Sequence, residues 1–149
     1  MRTLLAALAL SVSLGTAASA QDTDTEPATF SERSCGAATI EEGVACLAAT
    51  LRPETVAELA ALSYQDLALT HFGLGMYVRN QWGLWDGRSA LVQAFREGGS
   101  SSPDDMSGVL ISGVWLMHHG CEADFEAQLQ WRREAALATE AGQEAPSFP

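Results

Sequence analysis

Residues 108–117, "GVLISGVWLM", decide the fold class. Their composition is rich in β-branched and apolar residues and would suit a buried strand. What precedes them argues for a helix. Ser102-Pro103-Asp104-Asp105 supplies a capping hydroxyl, a proline for the first turn and two acids at the positive end of the helix dipole. The run from Pro103 to about His118 is also longer than a typical strand. The stretch reads as a buried helix that Gly120 ends.

Helical signals continue on both sides. In "TIEEGVACLAATL", Thr39 and Glu42 form a capping box, and Ile40, Val44, Leu47, Ala48 and Leu51 share one face. Pro53 interrupts that helix and can sit in the first turn of the next, "PETVAELAAL". Ser63 with Asp66 can cap a third helix, expected to run to about Trp82. Asp86-Gly87 marks a turn before "RSALVQAFRE", which Gly98-Gly99 stops. "EADFEAQLQWRREAALA" makes the last helix. The expected fold class is all-α: a compact bundle of five or six short helices with no sheet, forming a single helical domain at 35–139.

The ends read differently. "MRTLLAALALSVSLGTAASA" has one charge at Arg2, an apolar run from Leu4 to Leu14 and a small-x-small ending at Ala18-Ser19-Ala20. Residues 1–20 are therefore read as a signal peptide, cleaved near Ala20. No cysteine follows the cut, which argues against a lipid anchor. No later stretch is apolar for long enough to span a membrane. Residues 21–34 read as a disordered acidic lead-in and 140–149 as a flexible tail. The expected product is a soluble bacterial protein, periplasmic or secreted.

The chain has eight basic residues, all arginine, against nineteen acidic ones, for a formal net charge of −11. This excess repels phosphate backbones, so nucleic acid is excluded as a partner, and it disfavours anionic membrane surfaces. Three cysteines, Cys35, Cys46 and Cys121, permit one disulfide in an oxidising compartment. Cys35 and Cys46 are close in sequence and could be joined by a chain folding back on its first helix. Cys121 could compete for either.

The densest segment for chemistry is "HFGLGMYVRNQWGLWDG", residues 71–87. On the third helix Leu67, His71, Leu74 and Val78 share a face, and Leu69, Phe72 and Met76 share another. A helix apolar nearly all round is expected at the centre of a bundle. Gly73 and Gly75 each cost about 1 kcal/mol of helix stability relative to alanine. Either a close approach of neighbouring backbone, with Gly73 or Gly75 facing Gly108 or Ser112, or a closely held ligand would offset that. Arg79 is expected to pair with Asp104 or Asp105, with ligand binding as the alternative. His71 reads as a hydrogen-bonded core residue, or alternatively as a general base. Trp82 and Trp85 read as core residues closing a helix layer, or as an aromatic cage. Asn80, Ser89 and Ser107 are further candidates for polar binding contacts. His118, His119, Cys121 and Glu122 superficially suggest a metal. Adjacent histidines point about 100° apart on a helix, so no metal site is expected, and nothing indicates a cofactor. No nucleophile motif is present.

These residues resemble a family. "HFGLGMYVRNQWGLW" followed by "PDDMSGVLI" is similar to a small bacterial domain of unknown function with an H-F-G-L-G-x-x-I-R-N-x-W-G-L-W segment and a P-D-D-M-S-x-x-I segment. The resemblance covers about 64–116. It implies that His71, Gly73, Gly75, Arg79, Asn80, Trp82, Trp85, Ser89, Asp104, Asp105 and Ser107 match the family's pattern. It implies no activity. Val78 departs from the common isoleucine, and the "GGSSS" loop lacks the usual apolar and histidine residues.

The leading functional expectation is a non-enzymatic binding or interaction domain, taking a protein or small-molecule ligand where the Arg79–Trp85 corner meets the Asp104–Ser107 helix start. The alternatives are a small periplasmic enzyme and a structural accessory of an envelope assembly. The enzyme would use His71 as base, Asp104 or Asp105 as acid or orienter, and Arg79 as anion clamp.

Overall fold

The computed structural model describes residues 30–147. The leader at 1–20 and the lead-in through residue 29 lie outside the described residues. The described residues form seven α-helices and one 3-10 helix and contain no strand, so the chain is all-α. The helices are α1 (Phe30–Arg33), α2 (Ile40–Thr50), α3 (Pro53–Ala60), the 3-10 helix (Gln65–Phe72), α4 (Leu74–Gln81), α5 (Ala90–Glu97), α6 (Pro103–His118) and α7 (Phe125–Glu140).

The caps do what local chemistry requires. Thr39 Oγ1 accepts from the Glu42 amide at 3.2 Å, and Glu42 Oε2 accepts from the Thr39 amide at 3.3 Å. Ser102 caps α6 by accepting from the Asp105 amide, with Pro103 in the first turn. Asp124 caps α7, accepting from the Ala127 amide at 2.9 Å.

"GVLISGVWLM" lies within α6, which is the centre of the molecule. It packs against α2, α3, α4, α7 and the 3-10 helix. Val109 and Leu110 of α6 are fully buried together with Leu47, Val78, Val92 and Phe95. A helix surrounded on several sides needs apolar groups all round, which explains its strand-like composition.

Two expectations about the third helix are corrected. It is broken at Gly73 into the 3-10 helix and α4. It is also peripheral: the Leu69, Phe72 and Met76 face is open to solvent. The break has a local cause. The Gly73 amide turns back to the Thr70 carbonyl at 3.2 Å, and the Thr70 hydroxyl donates to the Leu67 carbonyl at 2.7 Å, so the α-helical ladder is diverted. This split and the one-turn α1 account for the higher helix count.

Glycine does allow a close helix crossing, but between α2 and α6. A methyl group on Gly113 would lie 2.5 Å from Val44 Cγ2 and 3.0 Å from Phe125 Cε1. One on Gly43 would lie 2.9 Å from Leu110 Cδ2. Gly75 instead faces Arg79 and Ser107, Gly73 borders open space, and Gly108 lies under the Arg132 guanidinium.

The first described residues are tied to this layer. Cys35 and Cys46 form a disulfide with Cα atoms 5.9 Å apart, joining the turn after α1 to α2. Ser34 beside it is buried, and α1 falls in residues expected to belong to the disordered lead-in. Cys121 is free and exposed.

Gly113→Ala should lower the unfolding free energy by about 1–3 kcal/mol through overpacking, outweighing its gain in helix propensity. Urea denaturation reads this directly. An unchanged midpoint would contradict the tight α2–α6 crossing.

Candidate functional site

The site begins with one arginine. Arg79 lies in the last turn of α4 and is only 5% exposed. A buried guanidinium needs acceptors for its donors. Nη1 donates to Ser107 Oγ at 3.1 Å and meets Asp104 Oδ1 at 3.2 Å. Nη2 donates to the His71 carbonyl at 3.1 Å. Arg79 thus joins the C-terminal end of the 3-10 helix, α4 and the first turn of α6. Gly75 leaves room for it, since a methyl group there would sit 3.0 Å from Nη1.

Its partners are also engaged. The Ser107 hydroxyl donates to the Asp104 carbonyl at 2.9 Å while accepting from Arg79. Asp104 stands in the first turn of α6, where the helix dipole favours its charge. His71 Nε2 lies 3.6 Å from Asp104 Oδ1, and both side chains are partly exposed. This corrects the reading of His71 as a core residue. Its ring packs edge-on to Phe72 with centroids 4.8 Å apart.

Beside this cluster runs a groove of about 990 Å³. Its floor is one face of α6: Asp104, Ser107, Gly108, Ile111, Ser112 and Trp115, at helical spacings of three and four. One wall is Tyr64 with Leu67, Ala68, His71 and Phe72 of the 3-10 helix; the other is Trp131 and Arg132 of α7. The small residues expected to let two helices cross therefore floor an open groove.

Aromatic contacts shape one end of it. The Trp115 ring meets Tyr64 edge-on at 5.6 Å and stacks on His119 at 3.9 Å, while its Nε1 donates to the Leu62 carbonyl at 3.0 Å. Burial pushes the Tyr64 phenol above its ordinary pKa, and the Arg132 charge and a hydrogen bond with Ser112 partly oppose that. Arg132 lies over Gly108 and makes a loose 3.7 Å ion pair with Asp105.

Of the residues singled out by sequence, His71, Asp104 and Ser107 line the groove directly, with Arg79 behind them. The others lie elsewhere. Ser89 caps α5, accepting from the Val92 amide at 3.2 Å. Trp82 is buried in the core, as expected, but Trp85 is 60% exposed and donates to Asn80 Oδ1 at 3.2 Å. Trp82 and Trp85 thus form no cage together. His119 Nδ1 is hydrogen-bonded to the Trp115 carbonyl at 2.8 Å, and its ring stands at 74° to that of His118. Among the described residues, no group of three or more potential ligands could hold a metal ion.

Sequence reasoning missed Tyr64, Trp115, Trp131 and Arg132 as groove residues. Trp115 carried a signal, because it lies eleven residues after Asp104 and so falls on the same face of α6. Tyr64, Trp131 and Arg132 had no such mark.

The model of the family described as Domain of unknown function (DUF6794) matches residues 38–117, more than half of the chain, so the chain belongs to that family. The matched span holds the whole Arg79 cluster but ends before α7. No curated protein and no solved structure matches the chain.

Arg79→Ala should cost about 3 kcal/mol, because it strips Ser107 and the His71 carbonyl of a buried partner. Arg79→Lys should recover only part of this, since one ammonium cannot reproduce the diverging fork. Chemical denaturation of both variants checks it. A fully stable Arg79→Ala protein would show that the arginine is not structural.

Proposed function

We propose that this DUF6794 chain is an exported, non-enzymatic binding domain that meets a protein partner through the corner made by its 3-10 helix and α4. The observation that carries this is an apolar row facing solvent. Leu69, Phe72, Met76 and Tyr77 are 75%, 79%, 45% and 53% exposed, and all fall within nine residues of sequence. Large apolar side chains concentrated in this way mark contact surfaces. Trp85 adds a further exposed ring after α4.

The proposed contact lies outside the join expected from sequence. Arg79 and Ser107 are buried there and spend their hydrogen bonds on each other and on neighbouring groups. They hold the corner in place instead of reaching a partner.

Export is supported by the leader-like residues 1–20 and by the Cys35–Cys46 disulfide, which suits an oxidising compartment. Among the described residues, no helix is long and apolar enough to cross a membrane.

A double variant, Leu69→Glu with Tyr77→Glu, should keep the wild-type circular dichroism and melting temperature, because both side chains are exposed. It should lose at least about tenfold in affinity for any partner that the native chain captures from periplasmic extract, as expected when apolar anchors are removed. Equal retention by both proteins would overturn the corner as the contact.

One observation favours a second, enzymatic reading. His71 and Asp104 approach each other at the groove's edge with both side chains reachable from solvent. A histidine paired with a carboxylate can act as a general base. Arg79 cannot serve this reading as an anion clamp, since its fork is occupied. His71→Asn should abolish any turnover found on a substrate panel, while the double corner variant retains it. Turnover unaffected by His71→Asn would remove this reading.

A further inference from the structure

The groove differs from the corner in one respect: part of the chain already lies at it. The tail after α7 turns back, and Trp131 Nε1 donates to the Pro146 carbonyl at 2.7 Å. Pro146 and Ser147 join the residues that line the groove. The tail therefore meets the molecule at this groove, through a directed hydrogen bond.

The chemistry of that contact is specific. Proline fixes its own φ and biases the residue before it, here Ala145, toward an extended backbone. Such a segment makes no hydrogen bonds of its own, so its carbonyls are free to accept from a partner. An aromatic surface with an indole N–H supplies both needs, a flat face for the pyrrolidine ring and a donor for the carbonyl. The groove has Tyr64, Phe72, Trp115 and Trp131 on its lining. Its floor runs eleven residues of α6 from Asp104 to Trp115, about 16 Å, the length of about five residues of extended polyproline-type chain.

We propose that the groove is a binding site for an extended, proline-bearing peptide, and that the tail segment Glu144–Ser147 is its intramolecular occupant. A partner segment of the same kind binds by displacing the tail from Trp131. The tail acts as a competitor that lowers the apparent affinity in proportion to its occupancy.

The full chain can test this with an acetylated peptide of residues 142–149, GQEAPSFP, as probe. The chain has four tryptophans. Their indole N–H resonances are therefore few, and Trp131→Phe identifies the one at the groove. Pro146→Ala in the full chain keeps the accepting carbonyl but loses the preset extended backbone, so it should move the Trp131 resonance and tighten binding of the added peptide by at least about fivefold, as weakening of a competing occupant requires. Adding Trp131→Phe to that variant should weaken binding by about tenfold, as should a peptide with alanine in place of Pro146, with melting temperatures of the proteins matched. The proposal is overturned if Pro146→Ala leaves the Trp131 resonance in place. It is also overturned if the peptide at millimolar concentration moves no groove resonance, or if the alanine peptide binds equally well. None of these measurements touches Leu69 or Tyr77, so the groove and the corner can fail separately.

Discussion

The guanidinium of Arg79 is the constraint on which the rest of this structure depends. It is buried, and its charge must be matched where it sits. Asp104 supplies the opposite charge, Ser107 an oxygen and His71 a backbone carbonyl. These groups come from three elements, so a single planar fork fixes how α4, the 3-10 helix and α6 meet. Lysine could not do this, because its ammonium lacks two nitrogens set apart at a rigid angle. The segments 71–85 and 103–111 are thus the two sides of one electrostatic joint.

The joint also explains why an open groove can coexist with a firm core. α6 is anchored from below by the α2 crossing, where Gly43 and Gly113 allow direct contact. Its opposite face carries Ser107, Gly108 and Ser112, which leave space above the helix while the two hydroxyls bond sideways to Arg79 of α4 and Gln128 of α7. Arg79 holds the 3-10 helix at one side of that face, and α7 stands at the other. The groove is the space left between two walls fixed independently to the same helix.

Much of the fold was legible because it is written locally. The Thr39–Glu42 box and the Ser102-Pro103 start each act within four residues, and both form as read. "GVLISGVWLM" was assigned correctly because its cap outweighed its composition. The third helix was misread because apolar spacing alone continues through Gly73, whereas the Thr70 hydroxyl and the Gly73 amide divert the ladder there and the Arg79 side chain takes the His71 carbonyl. The Arg79–Asp104 pairing was legible from charge and position. The Gly75 packing was not, since small residues leave space without saying what fills it. In α6 that space became a groove, and its far wall, Trp131 and Arg132, lies well beyond the segment that carried the sequence signals. His71 shows the same limit. A face shared with Leu67, Leu74 and Val78 exists only along a continuous α-helix, and the break at Gly73 separates His71 from Leu74 and Val78.

The two walls of the groove differ in how deeply they are set. α7 places Phe125, Gln128 and Leu129 in the interior, whereas the 3-10 helix has no buried residue and is tied down through two carbonyls, that of Leu62 ahead of it to Trp115 and that of His71 in its last turn to Arg79. Segments with few buried contacts yield first when a structure is loaded. The molecule therefore resembles a vice with one fixed and one sprung jaw. Its aperture is set by two hydrogen-bonded pins, and any widening strains the sprung jaw while the core stays as it is.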